Sequence, residues 1–165
     1  MHYLRQTLIL AIAFGSAALA GPPLSCRPWV STPGSAFEAL EPLHRIAMEA
    51  DDSPAQKEAA RKRLADLRAA MRPGDAVSIL KAGYWAAVMN AIGVSAETDG
   101  PGLIRRAAEL RPNDPEYHFF VALAYFDKDK NLYRKHWTRA QELSKPGSAV
   151  ARNLKDYDKE LAARR

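Results

Sequence analysis

The side chains best suited to acid–base or metal chemistry are scattered along this chain of 165 residues. Beyond the extreme N-terminus the histidines are His44, His118 and His136, and none has a second histidine or cysteine one helical turn away, the spacing typical of zinc sites. His118 and His136 fall on two neighbouring predicted helices and can meet there, with Glu116 or Glu142 as a supporting carboxylate. Core or interface positions are the favoured interpretation, so we predict no metal site.

Sequence motifs for catalysis are missing as well. The chain has no H-E-x-x-H zinc motif, no G-x-x-x-x-G-K phosphate loop, no G-x-S-x-G elbow and no C-x-x-C-H haem attachment. The acidic groups Asp51-Asp52 and Asp127/Asp129 stand at predicted helix ends or turns, where aspartate is favoured for capping. We therefore predict a protein without catalysis or cofactor. A small helical cell-wall hydrolase is an alternative without a recognisable motif.

The first 20 residues have the features of a secretory signal. A weakly basic start is followed by the apolar run 8–14 and by Ala18-Leu19-Ala20, a small-x-small cleavage pattern. We expect cleavage after Ala20 and a periplasmic or secreted mature protein with no membrane span. The formal net charge of +5 is mild and spread along the chain, and an exported protein rarely meets nucleic acid, so we expect no nucleic-acid partner.

Residues 21–34 read as a proline-rich leader in which Trp29 is the one large apolar side chain. Cys26 is the only cysteine, which excludes an internal disulfide. Three interpretations stay open for it: a free thiol, a bond to another chain, or lipid acylation. The last would make the protein an envelope-associated structural protein or lipoprotein, although Leu24-Ser25-Cys26 matches a lipobox only in part.

Four short motifs with a helix stop followed by a helix start divide the rest of the chain. Their prolines, Pro33, Pro73, Pro112 and Pro146, recur at intervals of 40, 39 and 34 residues. Each proline is followed by Gly or Asn, which favours a helix end, and then by Ser or Asp, which favours a helix N-cap. Regular signals at this period indicate stacked helical repeats.

The apolar spacing between these motifs is helical throughout. It predicts an all-α domain over residues 35–165: an α-α superhelix of about three helical hairpins with a C-terminal capping helix. We expect Pro42 to kink or interrupt the first helix. The segment from Asp75 to Ile92 should form the most buried helix, and Val150, Leu154, Tyr157 and Leu161 should form the apolar stripe of the cap.

Residues 73–146 resemble tetratricopeptide repeats. Ala107, Leu110 and Pro112 match the end of that motif, and Trp137 and Ala140 match the large and small positions of its second helix. The resemblance departs at residues 133–134, where a small residue is expected, and it is weak over the first repeat. It implies that the first helix of each repeat lines a concave groove.

The groove positions implied by this resemblance are Trp85, Met89, Phe119, Leu123 and Phe126. Such an apolar groove would dock a protein or peptide segment, which predicts a non-enzymatic binding module or adaptor for protein–protein interaction. The alternative is that these side chains are covered by the capping helix or by the leader with Trp29.

Overall fold

The protein is all-α. The computed structural model describes residues 29–49, 53–91, 93 and 99–163, with side chains through residue 159. The predicted signal peptide and Cys26 lie outside this part. Within it there are seven helices and no strand: α1 (Ala36–Glu49), α2 (Pro54–Ala69), α3 (Ala76–Ala91), α4 (Gly100–Glu109), α5 (Pro115–Tyr125), α6 (Lys130–Leu143) and α7 (Ala149–Ala163). None of them is long and apolar enough to span a membrane.

The helix starts lie where capping residues predict them. Ser35, Asp75, Asp114 and Ser148 each accept a hydrogen bond from a backbone amide in the first turn that follows. These bonds satisfy amides that have no partner within the helix. Three of the four motifs also contain a glycine in the left-handed region, with φ of 78° at Gly34, 89° at Gly74 and 77° at Gly147.

Helix α3 lies at the centre of the domain and packs against α1, α2 and α4. Residues 82–89 of α3 are buried without a break, and so are residues 117–124 of α5, so the helix predicted to be the most buried shares that property with α5. The crossing of α3 and α4 is close because glycines face it: a Cβ atom on Gly100 would lie 2.5 Å from the amide nitrogen of Ala87. Helix α5 packs against α4 and α6, and α7 covers α5 and α6.

The first helix differs from its predicted place. Among the described residues, α1 and α2 do not form one of the extensive helix–helix contacts; α1 instead packs against α3 and α5. The expected interruption at Pro42 is absent, since α1 runs on to Glu49. Pro42 and Glu38 are both exposed, so the carbonyl of Glu38, which loses its amide partner, faces water. Helix α1 therefore spans two repeats.

Candidate functional site

The five predicted groove residues do not form an open groove. Trp85, Met89, Phe119 and Leu123 are buried, and Phe126 is partly buried against Tyr133, with ring centroids 5.0 Å apart. Within the described part of the chain, they are mainly core residues.

These side chains also face different neighbours. The indole Nε1 of Trp85 donates a hydrogen bond to the Ala60 carbonyl of α2, at 2.9 Å. Phe119 instead contacts Phe37 of α1 and Tyr157 of α7, with ring centroids 5.3 and 5.4 Å apart. The predicted groove is thus closed by α1 and α7. Capping by α7 was one of the alternatives, whereas coverage by α1 was not foreseen.

Trp29, at the described end of the leader, packs among aromatic rings of α1, α3 and α5. Its indole stacks on the His44 ring, with centroids 4.0 Å apart and planes at 24°. Three further rings surround it edge-on, those of Phe37, Tyr84 and Phe120, with centroids 5.2 to 5.6 Å away. We call these four residues, together with Asn153, the aromatic seat.

Asn153 of α7 holds the main chain of the leader beside Trp29. Its side-chain oxygen accepts from the Val30 amide at 2.9 Å, and its Nδ2 donates to the Val30 carbonyl at 3.0 Å. Asn153 is only 4 % exposed. A buried amide that makes both bonds to one residue recognises extended backbone whatever the side chain at that position.

Two features of the aromatic seat show an incomplete fit around Trp29. The buried Nε1 of Trp29 has no hydrogen-bond acceptor among the described residues. A cavity of about 250 Å³ also adjoins the indole along α1, where Met48 is 46 % exposed. The Trp29 side chain thus leaves both a donor and apolar space unused.

A second cavity, of about 520 Å³, lies over α6 and the start of α5. We call it the histidine pocket. Its lining is mostly basic and consists of His118, Arg134, Lys135, His136, Thr138, Arg139 and Glu142.

The two histidines of the pocket form one hydrogen-bonded chain. His118 Nε2 lies 2.9 Å from the Pro112 carbonyl, and the two Nδ1 atoms of His118 and His136 lie 2.9 Å apart. A carbonyl only accepts, so His118 Nε2 carries a proton and its Nδ1, in the neutral ring, accepts from His136. The Nε2 of His136 is then left with a free lone pair.

Burial and nearby cations keep His136 neutral. Desolvation by burial, with the positive charges of Lys135 and of Arg105 of α4 acting in the same direction, lowers its pKa from 6.5 to about 4. His136 is therefore a neutral ring at physiological pH, in a pocket bordered by positive charge.

The supporting carboxylates considered for a metal are engaged elsewhere. Glu116 accepts a hydrogen bond from the Ala36 amide at the start of α1, and burial raises the pKa of Glu116. Glu142 pairs with Arg139 at 3.2 Å. Among the described residues, no group of three or more potential ligands is placed to hold a metal ion. The histidines meet as spacing allowed, without a metal-ligand set.

No family model, curated protein or solved structure matches this chain. The resemblance to tetratricopeptide repeats therefore stays a prediction. Sequence reasoning missed Asn153, because a buried asparagine on a capping helix has no sequence signal that distinguishes it from a surface one. It also missed the clustering of basic residues around His136, since helical spacing alone does not show which of these residues border a cavity.

Proposed function

We propose that this protein is an exported, non-catalytic binding module that captures an extended protein segment at the aromatic seat. The segment would carry a large aromatic side chain followed by a residue whose amide and carbonyl both bond to Asn153, as the leader does at Trp29 and Val30. The observation that carries the proposal is the pair of hydrogen bonds between Asn153 and the Val30 backbone, 123 residues away in sequence.

The aromatic seat has the two parts that recognition of an extended peptide requires. Main-chain hydrogen bonds provide affinity without regard to side chain, and a pocket for one anchor provides selectivity. Asn153 supplies the main-chain hydrogen bonds, and the rings around Trp29 form the pocket for the anchor. Aromatic anchors in such pockets commonly dominate binding energy.

The leader is a replaceable occupant. A buried donor without an acceptor costs about 1–3 kcal/mol, and this cost falls on the Trp29 indole. The cavity beside Trp29 offers apolar space next to Met48 that a longer or bulkier partner segment would fill. A partner segment whose aromatic anchor has no donor, or has its donor hydrogen-bonded, avoids this cost. If it also fills the cavity, it buries apolar surface that the leader does not bury.

Export rests on the N-terminal sequence. The apolar run 8–14 and Ala18-Leu19-Ala20 support a cleaved signal and a periplasmic or secreted location. A mature chain beginning at Gly21 would retain the whole leader and thus its own occupant of the aromatic seat. Mass spectrometry of the mature N-terminus tests this directly and also detects acylation at Cys26.

The binding proposal is tested with a labelled peptide of residues 27–33 added to the Trp29→Ala chain, whose leader lacks the aromatic anchor. We expect this chain to bind the peptide at least about ten-fold more tightly than the unaltered chain, whose tethered leader competes at high effective concentration. Fluorescence anisotropy gives both affinities.

Two controls decide specificity. A peptide with alanine at the Trp29 position should lose binding, and the Trp29→Ala, Asn153→Ala chain should bind the original peptide more weakly. Asn131→Ala, at an exposed position, serves as the matched variant and should change nothing. No binding to the Trp29→Ala chain, or equal binding of both peptides, would refute the proposal.

A further inference from the structure

We propose that the histidine pocket binds a phosphate group, either as free phosphate or as a phosphate monoester. The lining of this site shares no residue with the aromatic seat. The proposal rests on three observations: unpaired cations at the pocket, a fixed tautomer for His136, and an open cavity between them.

The cations of the pocket are available to an anion. In the described parts of the chain, neither Arg134 nor Lys135 pairs with a carboxylate, and both are exposed. Arg139 already engages Glu142 and Asn113, at 3.2 and 3.5 Å, and this fixes it at the edge of the cavity. An oxyanion above His136 would thus meet two free cations and one that is held in place.

The lone pair of His136 selects among anions. The hydrogen bonds from His136 to His118 and from His118 to Pro112 leave His136 Nε2 as an acceptor. A carboxylate or a sulfate has no proton to offer this nitrogen near neutral pH. A phosphate monoester does, because its second pKa is about 6. Phosphate therefore combines anionic oxygens for the cations with an O–H for His136.

The size of the cavity suits a small phosphorylated molecule. Its volume of about 520 Å³ lies within the range of about 300–1,000 Å³ that is usual for small-molecule sites. Thr138 adds a hydroxyl at the pocket, which can donate to a phosphate oxygen or accept from the rest of the ligand.

Binding must take up a proton above pH 6. The complex holds one proton between the phosphate oxygen and His136 Nε2. Free His136 is unprotonated there, and a free monoester has lost its second proton. The charged groups around this proton are Arg105 from α4 and Arg134, Lys135, Arg139 and Glu142 from α6, and His118 from α5 is the other titratable group beside it. Their net positive charge holds the phosphate but opposes a charged imidazole, so affinity falls as pH rises.

Isothermal titration calorimetry with phosphoserine, inorganic phosphate, serine and sulfate tests the site on the full chain. We expect phosphoserine to bind at least about five-fold more tightly at pH 6 than at pH 8, following its protonation. Serine should not bind, and sulfate should bind weakly without this pH dependence. Tighter binding of phosphoserine than of inorganic phosphate identifies esters as the ligand class; the reverse identifies free phosphate.

Two variants separate this site from general charge attraction. Arg134→Ala, Lys135→Ala should weaken phosphoserine binding at least about ten-fold, since hydrogen bonds between charged groups are stronger than those between neutral groups. Arg152→Ala, Lys155→Ala removes the same charge from exposed positions of α7 and should leave phosphoserine binding unchanged. Equal losses in the two variants, or equal binding of phosphoserine and sulfate, would overturn the proposal.

The role of His136 itself is tested with His136→Asn, which keeps a donor toward His118 but has no atom in place of Nε2. Its phosphoserine affinity should lose the rise toward pH 6, because the dianion then binds through the cations alone. An unchanged pH dependence would show that another group holds the proton taken up on binding, and it would refute the role of His136 as the acceptor.

Discussion

The aromatic seat and the histidine pocket each contain a histidine that is hydrogen-bonded through Nδ1, yet the two surroundings are opposite. His44 is buried, bonds to the Tyr84 hydroxyl at 2.9 Å and stacks on Trp29. His136 is half-buried, borders an open cavity and has cations around it. One ring is used for packing and the other keeps a nitrogen available. Residue type therefore says little about role until its neighbours are known.

The two regions also differ in what they contribute to folding. Rings in the aromatic seat bury large apolar surfaces and add edge-to-face contacts. Exposed charges such as Arg134 contribute little to stability because water already solvates them. We expect substitutions in the aromatic seat to change stability and those in the histidine pocket to change ligand binding.

The largest expected effect is that of Phe120→Ala, which removes a fully buried ring between Trp29, Phe37 and Tyr84. It should lower the free energy of unfolding by about 3–5 kcal/mol through lost burial and a cavity. Arg134→Ala should stay within about 0.5 kcal/mol of the unaltered chain. Urea denaturation measures both. A similar cost for the two substitutions would remove the distinction between the regions.

The next effect concerns the α3–α4 contact, which connects the two regions: α3 carries Tyr84, and α4 carries Arg105 beside His136. Gly100→Ala would place a Cβ atom 2.5 Å from the Ala87 amide nitrogen and should cost about 1–3 kcal/mol.

Gly102→Ala is the matched control in the same helix, because a Cβ atom there meets no heavy atom within 4 Å. It should stabilise by about 0.4–1 kcal/mol by restricting the unfolded chain. Thermal unfolding of the two variants gives the comparison. A stabilised Gly100→Ala protein would show that α3 and α4 are not in close contact.

Features decided by local sequence were predictable in this protein. Ser35, Asp75, Asp114 and Ser148 cap their helices because capping depends on only three or four residues. The all-α class followed from helical spacing of apolar residues for the same reason. Even the meeting of His118 and His136 was foreseeable, since they occupy adjacent helices.

Features decided by distant residues were not predictable. Glu116 holds the start of α1 from 80 residues away, and Asn153 holds Val30 from 123 residues away. Neither contact leaves a trace in local spacing. For this reason the aromatic residues of α5 resembled an open groove, whereas α1 and α7 cover them. The candidate groove was thus assigned mainly to buried side chains.

A smaller expected effect is the pH dependence of stability that His136 gives to the histidine pocket. The pKa of His136 falls from 6.5 in the unfolded chain to about 4 in the folded one, so only the unfolded chain takes up this proton between those values. Stability should therefore decrease as pH falls from about 6.5 to 4, by on the order of 1 kcal/mol once solvent screening is allowed for.

His136→Asn isolates that contribution in thermal unfolding across the same pH range. Burial raises the pKa of Glu116 above 4.5, which acts in the opposite direction near that pH and is common to both proteins. Above pH 7 the melting temperatures of the two proteins should differ by a constant amount. That amount is zero if the substitution has no other effect on stability. A difference that does not vary between pH 6.5 and 4 would contradict a neutral His136.

The smallest expected effect on global stability is that of Asn153→Ala. It removes two hydrogen bonds to Val30, and we expect the leader to detach without unfolding the helices, so the free energy of unfolding should fall by less than about 1 kcal/mol. The local consequence is larger: exchange of the Val30 amide hydrogen should accelerate at least about ten-fold. Asn131→Ala, at an exposed position, should leave that rate unchanged. If Asn153→Ala instead lowers global stability as much as Phe120→Ala does, the leader is part of the core, and the aromatic seat cannot exchange it for another segment.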